Sequence, residues 1–232
     1  MSAARKTSSP RKKSPAGETN AAEAGVSAAT KRLGRPPASD SGDTRRRILD
    51  VARTAFAIGG YDSSTNRELA AEVGITAGAL YHYFGSKLDL YLAVHEDVQA
   101  LVYGRFNEAV EPHEGFVDKF EAVLDTAHKM NREDPTLAGF VGVVRSDMRR
   151  HPEIDDLLKG HAERRDHFFV RLVDAGVAAG EIERKDRLLV IEFVRIVLVG
   201  LTDGVSHDAK RHKRAVTSLK RVLRSDLFVD PS

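Results

Sequence analysis

Cysteine and tryptophan are both missing from the 232 residues. The first absence excludes disulfides, thiolate metal sites and cysteine catalysis, and it fits a reducing cytoplasm. The nine histidines never fall four apart, so a helical zinc pair is excluded as well, and the sequence implies neither a metal nor a cofactor. No Ser, His and carboxylate arrangement and no phosphate-binding glycine loop can be placed, so an enzyme is not expected. The longest apolar run, Leu188 to Leu201, is short and broken by Glu192 and Arg195, and the N-terminus lacks the apolar core of a secretory signal. Neither membrane spanning nor export is supported. Strand-like alternation is missing too, which leaves an all-α fold.

Net charge is only +2, but it is distributed unevenly. Residues 1–39 carry net +6 and the remainder −4. A basic arm on a slightly acidic body points to a polyanion met by one end of the molecule. Ser, Ala, Pro and Lys dominate the arm, so it cannot bury enough surface to offset its ordering entropy, and residues 1–40 are expected to be disordered when free. Within it, "KRLGRPP" (Lys31 to Pro37) resembles the Gly-Arg-Pro core of an AT-hook, in which Arg35 would lie in a narrow A·T minor groove. A solvated basic linker is the alternative reading.

From Asp43 onward the apolar spacing is helical. Ile48, Ala52, Ala55 and Phe56 stripe a first helix that stops at Gly59-Gly60. Thr65-Asn66-Arg67-Glu68 has the spacing of a capping box for a second helix, with Leu69, Ala70 and Val73 inside. Gly74 breaks that helix, Thr76 caps a third, and Ser86 with Asp89 starts a long fourth. Downstream breaks at Glu111-Pro112, Asp134-Pro135, His151-Pro152, Gly180 and Gly204 to Asp208 leave room for five more helices. The expected organisation is a basic arm (1–40), a helix-turn-helix domain (41–90) and a larger helical domain (91–228).

The stretch "GITAGALYHYFGSK" opens a helix with Ala77-Gly78-Ala79 and follows it with consecutive aromatics. Leu80 and Phe84, four apart, suit a core; Tyr81, His82 and Tyr83 fan outward. A slim leading end enters a DNA groove and a polar flank holds phosphates, which is what a reading helix requires. With the preceding "ELAAEVGIT", the following "SK" and the flanking "ILDVARTAFAIGGYDSSTNR", residues 43 to about 90 resemble the N-terminal domain of the tetracycline-repressor (TetR) family of bacterial transcription regulators. The resemblance implies that Asn66 and Arg67 approach DNA from the start of the second helix, which Thr65 caps. It implies that Thr76 caps the reading helix, that Ala77, Gly78 and Ala79 face bases, that Tyr81, Tyr83 and Lys87 hold phosphates, and that His82 lies near either. Unlike many relatives, this chain has no long polar side chain at the three reading positions, so methyl contacts, Arg67 and DNA deformability are left to carry sequence preference.

The same resemblance implies that the remaining helices form a ligand pocket and a two-fold interface. A homodimer has separate support, because two reading helices about 34 Å apart read a pseudo-palindromic operator. The last two helices are the candidate interface: "DRLLVIEFVRIVLVGLTDG" is apolar nearly all round, and Val216, Leu219, Leu223 and Leu227 stripe the final helix. Pocket candidates are Phe140, Val144, Phe169 and Phe193, with His128, Arg145 and Arg195 as polar anchors for a small apolar effector carrying an anionic head. Each also reads as ordinary core or, for Glu192 with Arg195, as a helical ion pair. The expected function is a ligand-responsive regulator, a repressor by family expectation, that binds double-stranded operator DNA in the cytoplasm. An architectural DNA-binding protein without an effector is the alternative.

Overall fold

A computed structural model describes residues 38–159, 163–225 and 227, all of which lie in the second of two units, residues 36–232. The basic arm, including Arg35 and the stretch Lys31 to Pro37, lies outside the described residues. Ten α-helices account for nearly all the rest, with no strand among the described residues: α1 (Ala38–Gly59), α2 (Asn66–Val73), α3 (Ala77–Tyr83), α4 (Lys87–Val110), α5 (Phe116–Glu133), α6 (Pro135–Arg150), α7 (Pro152–Lys159), α8 (Glu163–Ala178), α9 (Arg187–Val205) and α10 (Ala209–Leu223). Short 3₁₀ turns at Tyr61–Ser63 and Arg184–Asp186 complete the set. The all-α expectation holds, with two differences in layout. The first helix begins at Ala38, ahead of the Asp43 from which the helical spacing is read, and runs 22 residues. The segment between Pro152 and Gly180 holds two helices rather than one, on either side of residues 160–162.

The caps read from sequence form as hydrogen bonds. Thr65 Oγ1 accepts from the Glu68 amide at 3.3 Å, while the Thr65 amide donates to Glu68 Oε2 at 2.7 Å. This reciprocal pair satisfies two of the amides that the start of α2 would otherwise leave bare. Gly74 ends α2 at φ 80°, in the left-handed region where a side chain would cost steric energy, and the Ile75 amide reaches back to the Ala70 carbonyl at 2.9 Å. Thr76 and Ser86 accept from the amides of Ala79 and Asp89 at 3.1 and 3.0 Å. Pro135 occupies the first turn of α6, where its missing N–H costs nothing, and Asp134 caps it.

The four leading helices close over Ile48, Ala52, Phe56, Leu69, Val73, Leu80, Phe84 and Leu90, all buried. Arg47 bonds the Val73 carbonyl at the end of α2 at 2.6 Å, and Arg46 pairs with Asp97 of α4 at 2.8 Å. Beyond this cluster, α1 also lies along α6, and α4 packs on α5 and α8. The helix-turn-helix portion and the larger helical portion therefore share α4 and the α1–α6 seam. α4 alone, at 24 residues and 1.5 Å each, is about 36 Å long and belongs to both.

At the seam a single carboxylate gathers three donors. Asp147 of α6 is fully buried, and its Oδ2 accepts from the Tyr61 amide and the Tyr91 hydroxyl, both at 2.8 Å, while Oδ1 accepts from Arg150 at 2.7 Å. Burial and the negative neighbour push the Tyr91 hydroxyl pKa well above its ordinary value, so it stays a donor. Gly60, at φ 80°, lets the chain pass this carboxylate: an added Cβ would sit 2.8 Å from Asp147 Oδ1. Arg53 forms a second link from α1, to Asp134 at 2.8 Å and Thr136 at 3.0 Å.

Candidate nucleic-acid interface and ligand cavity

α3 turns Leu80 and Phe84 into the core, as their spacing predicts, and leaves Tyr81 51% exposed beside an exposed His82. Tyr83 is half-buried and packs back on the core, as does Ala77, while Ala79 is half-buried. Gly78 is exposed, and a Cβ built there meets nothing closer than Thr76 Oγ1 at 3.9 Å. The bareness of α3 at this point is therefore not imposed by internal packing. A helix normally loses stability by carrying glycine, so the slim surface costs the fold something and benefits only what lies outside it.

On α2 the two expected contacts separate. Arg67 is exposed, and so is the capping Thr65. Asn66 is instead turned inward, 8% exposed, with Oδ1 making no hydrogen bond among the described residues. The first residue after the cap tucks beneath the helix while the second points away from it, which the sequence pattern did not separate. Lys87 is also less free than expected: its ammonium lies 4.5 Å over the Tyr61 ring, a cation–π contact. Desolvation there pulls its pKa below the ordinary lysine value, against the opposing pull of Asp62, Asp147 and Glu68.

The larger portion contains a cavity of about 350 Å³ bounded by α4, α5, α6, α8 and α9, with His212 of α10 at one side. That volume falls within the range of small-molecule sites, roughly 300 to 1,000 Å³. Its wall is mainly aliphatic and aromatic, from residues such as Tyr103, Phe106, Met130 and Leu198. Of the sequence candidates, Arg145, Phe169 and Arg195 line it. Val144 lines a recess of about 80 Å³ that shares Arg145, Met148 and Arg165 with the main cavity. The others do not reach it. Phe140 is fully buried against Tyr91 at 5.3 Å between centroids, and Phe193 lies on the outer side of α9, edge-on to Phe120 at 6.1 Å. His128 stacks on His212, their Nδ1 atoms 3.2 Å apart, and only His212 touches the cavity.

Sequence reasoning missed Gln99, Asn131 and Arg165, which also line the cavity. Three arginines thus border it, each next to a carboxylate. Arg145 is bonded to Asp203 through Nε at 3.0 Å and also through its guanidinium NH₂. Arg165 bonds Asp166 at 3.1 Å. Arg195 is the least committed: Asp166 and Glu192 both lie 3.5 Å away, its Nε is buried without a hydrogen bond, and its guanidinium stands 6.0 Å over Phe169.

The two helices expected to pair copies differ in how much apolar surface they leave bare. Val216 is buried, and Leu219 and Leu223 pack against the chain's own core, because α10 is clamped to α5 by Lys220 to Asp125 at 2.7 Å and Arg224 to Glu121 at 2.9 Å. The exposed apolar face belongs to α9, where Leu189, Phe193 and Ile196 follow one another at four- and three-residue intervals, Ile196 being 68% exposed. Added Cβ atoms at Gly200 and Gly204, further along the helix, meet nothing within 4 Å. Among the described residues no group of three His, Asp or Glu side chains is placed to hold a metal, and no helix is long and apolar enough to cross a membrane.

Residues 48–94 match the family model described as bacterial regulatory proteins, tetR family. The chain is 34% identical over 97 residues to the HTH-type transcriptional repressor KstR2 of Rhodococcus jostii, covering 40% of this chain and 48% of that protein. It is 30% identical over 117 residues to the HTH-type transcriptional regulator UidR of Escherichia coli, covering 50% of this chain and 57% of that one. The chain thus spans about half the length of the curated relatives it matches. Among solved structures, Salmonella enterica GusR superposes with a TM-score of 0.66 at 25% identity over 80% of this chain and 95% of that one. Bacillus subtilis FadR, solved in complex with stearoyl-CoA, superposes with a TM-score of 0.65 at 20% identity, over 79% and 99%; that likeness is one of fold. The matched segment takes in the second half of α1, all of α2 and α3 and the start of α4, the helices that carry the capping box and the bare exposed surface at Gly78, and over that segment the chain is similar to the tetR family of bacterial regulatory proteins.

Proposed function

We propose that this protein is a ligand-responsive transcriptional regulator, a repressor, that binds a pseudo-palindromic DNA operator as a homodimer and is released by a small amphipathic effector. One observation carries the reading: α4 begins directly after the reading helix and ends as a wall of the cavity, contributing Gln99, Val102, Tyr103 and Phe106. A molecule in the cavity then displaces a rod whose other end positions α3. Asp147 gives α6 a second hold on the entry to α2 through Tyr61, and α6 also lines the cavity. The effector acts by population shift, favouring the arrangement in which the cavity is occupied and the two heads no longer match the operator spacing.

The wall supports an apolar body with an anionic head seated at Arg195, whose Nε is buried without a hydrogen bond, unlike those of Arg145 and Arg165. Two heads are needed because one short helix reads few bases, and the exposed face of α9 supplies a self-complementary surface for the pairing. On DNA, Arg67 reads a base edge, Gly78 and its alanine neighbours approach the groove floor, and Tyr81 with His82 holds phosphates. The DNA and the effector are the proposed partners, and the site of action is the cytoplasm.

Selection of bound fragments from bacterial genomic DNA, followed by fluorescence anisotropy on the recovered site, tests the reading. Preference over bulk DNA by a factor of about 10³ or more is expected. Equal affinity for operator and random duplex at moderate salt would refute it in favour of an architectural role.

A further inference from the structure

The cavity wall contains a second polar group whose chemistry is not that of the arginines. Asn131 of α5 is 6% exposed, and its Nδ2 donates to the Ser206 carbonyl at 2.7 Å. A carbonyl only accepts, so this bond fixes which end of the amide carries the nitrogen and leaves Oδ1 as the remaining group. Asn131 lines the cavity, but its Oδ1 is closed off behind the wall surface and has no hydrogen-bond partner among the described residues, so a ligand donor reaches it only by parting the wall beside it. A buried acceptor left unmade costs on the order of 1 to 3 kcal/mol. Nearby in the same wall, Thr202 spends its hydroxyl proton on the Leu198 carbonyl at 2.8 Å, so it too offers only an acceptor to the cavity.

The wall therefore has two chemically opposite polar features. Arg145, Arg165 and Arg195 present donors, while Asn131 and Thr202 present acceptors whose own protons are already committed. A plain fatty acid or other apolar anion satisfies the first feature and leaves the second unmet.

From this we infer that the effector carries, besides its apolar body and anionic head, a hydroxyl or N–H donor that bonds Asn131 Oδ1. Asn131 is then the residue that separates hydroxylated or amidated acids from their unsubstituted counterparts. The asymmetry is strong in principle, because a site built to bond a ligand hydroxyl leaves its own buried group unpaired when the analogue lacks one. This inference rests on the reading of the cavity as the effector site.

The probes are straight-chain alkanoates from hexanoate to dodecanoate and their ω-hydroxy counterparts, titrated calorimetrically into the full-length protein and into Asn131→Leu. At the chain length that spans the wall, the hydroxy acid is expected to bind wild type about tenfold more tightly than its parent, the worth of one satisfied buried hydrogen bond. Asn131→Leu should erase that preference while binding the parent acid as well as wild type or better. Equal affinity of each hydroxy acid and its parent in wild type overturns the inference and leaves the cavity reading intact; this comparison needs no variant. A preference that survives in Asn131→Leu overturns the assignment to this residue. If neither series binds at millimolar concentration, the cavity reading and the inference both fail.

Discussion

Replacing Asp147 with alanine is expected to cost about 3 to 5 kcal/mol of stability, far more than a residue in the polar stretch "RSDMRR" would suggest. Three donors converge on this carboxylate, and two belong to groups without easy access to water: the Tyr91 hydroxyl, in a fully buried ring, and the Tyr61 amide. Each orphaned donor costs about 1 to 3 kcal/mol, and loss of the Arg150 contact adds little because that guanidinium is half exposed and can turn to solvent. Tyr91→Phe alone should cost about 1 kcal/mol, since it removes a donor and leaves Asp147 two others. The double variant then separates the terms. With the Tyr91 hydroxyl already gone, removing Asp147 orphans one group fewer, so the double should be more stable than additivity predicts by roughly 1 to 2 kcal/mol. Urea denaturation followed by circular dichroism measures all three. If Asp147→Ala costs less than about 1 kcal/mol, or the two changes add within error, the carboxylate is not the hub the geometry makes it.

Four further outcomes follow from the same geometry. Gly78→Ala should leave stability unchanged or raise it by about 0.5 kcal/mol, because nothing in the fold opposes the methyl, yet weaken operator binding in anisotropy titrations. Arg67→Ala should relax base preference in a binding-site selection, and an unchanged preference would remove Arg67 from the reading surface. Ile196→Glu should shift the protein towards monomer in sedimentation analysis, since it places a charge on the exposed apolar face of α9. Desolvation, followed by neighbouring positive charge, holds the His128 and His212 pKa values below the ordinary histidine value. The folded state therefore binds fewer protons than the unfolded chain, so stability is full above the unfolded value, near pH 6.5, and declines as pH falls below it. Denaturation midpoints between pH 5 and 7 should show this slope, and His128→Gln with His212→Gln should flatten it.

Much of the leading portion was legible because its signals are local. The Thr65 capping box, Gly74, the Thr76 and Ser86 caps, and the four-residue spacing of Leu80 and Phe84 all act within one or two turns, and each appears as read. What escaped depended on partners far along the chain. Asp147 is buried only because residues 86 and 56 positions away close over it. α9 is apolar nearly all round, so its periodicity cannot say which face meets α8 and which is left bare. The α10 stripe reads equally well as an interface or as core; in the folded chain Val216 is buried and Leu219 and Leu223 are half-buried beside ion pairs to α5. In the cavity, Arg145 and Arg195 were found because charges amid apolar neighbours stand out, whereas Asn131 sits in "KMNRED", a polar run that looks like a solvated helix end.

On the proposed route from the cavity to α3, the buried residues of α4 are Tyr103, Val98, His95, Val94, Tyr91 and Leu90, apolar but for the His95 ring and the tyrosine hydroxyls. Grip on a nucleic acid weakens steeply as salt screens phosphates, but thrust along a greasy rod does not pass through the electrolyte at all. Raising ionic strength should therefore loosen the hold on DNA while leaving the ratio between effector-bound and effector-free affinities nearly constant.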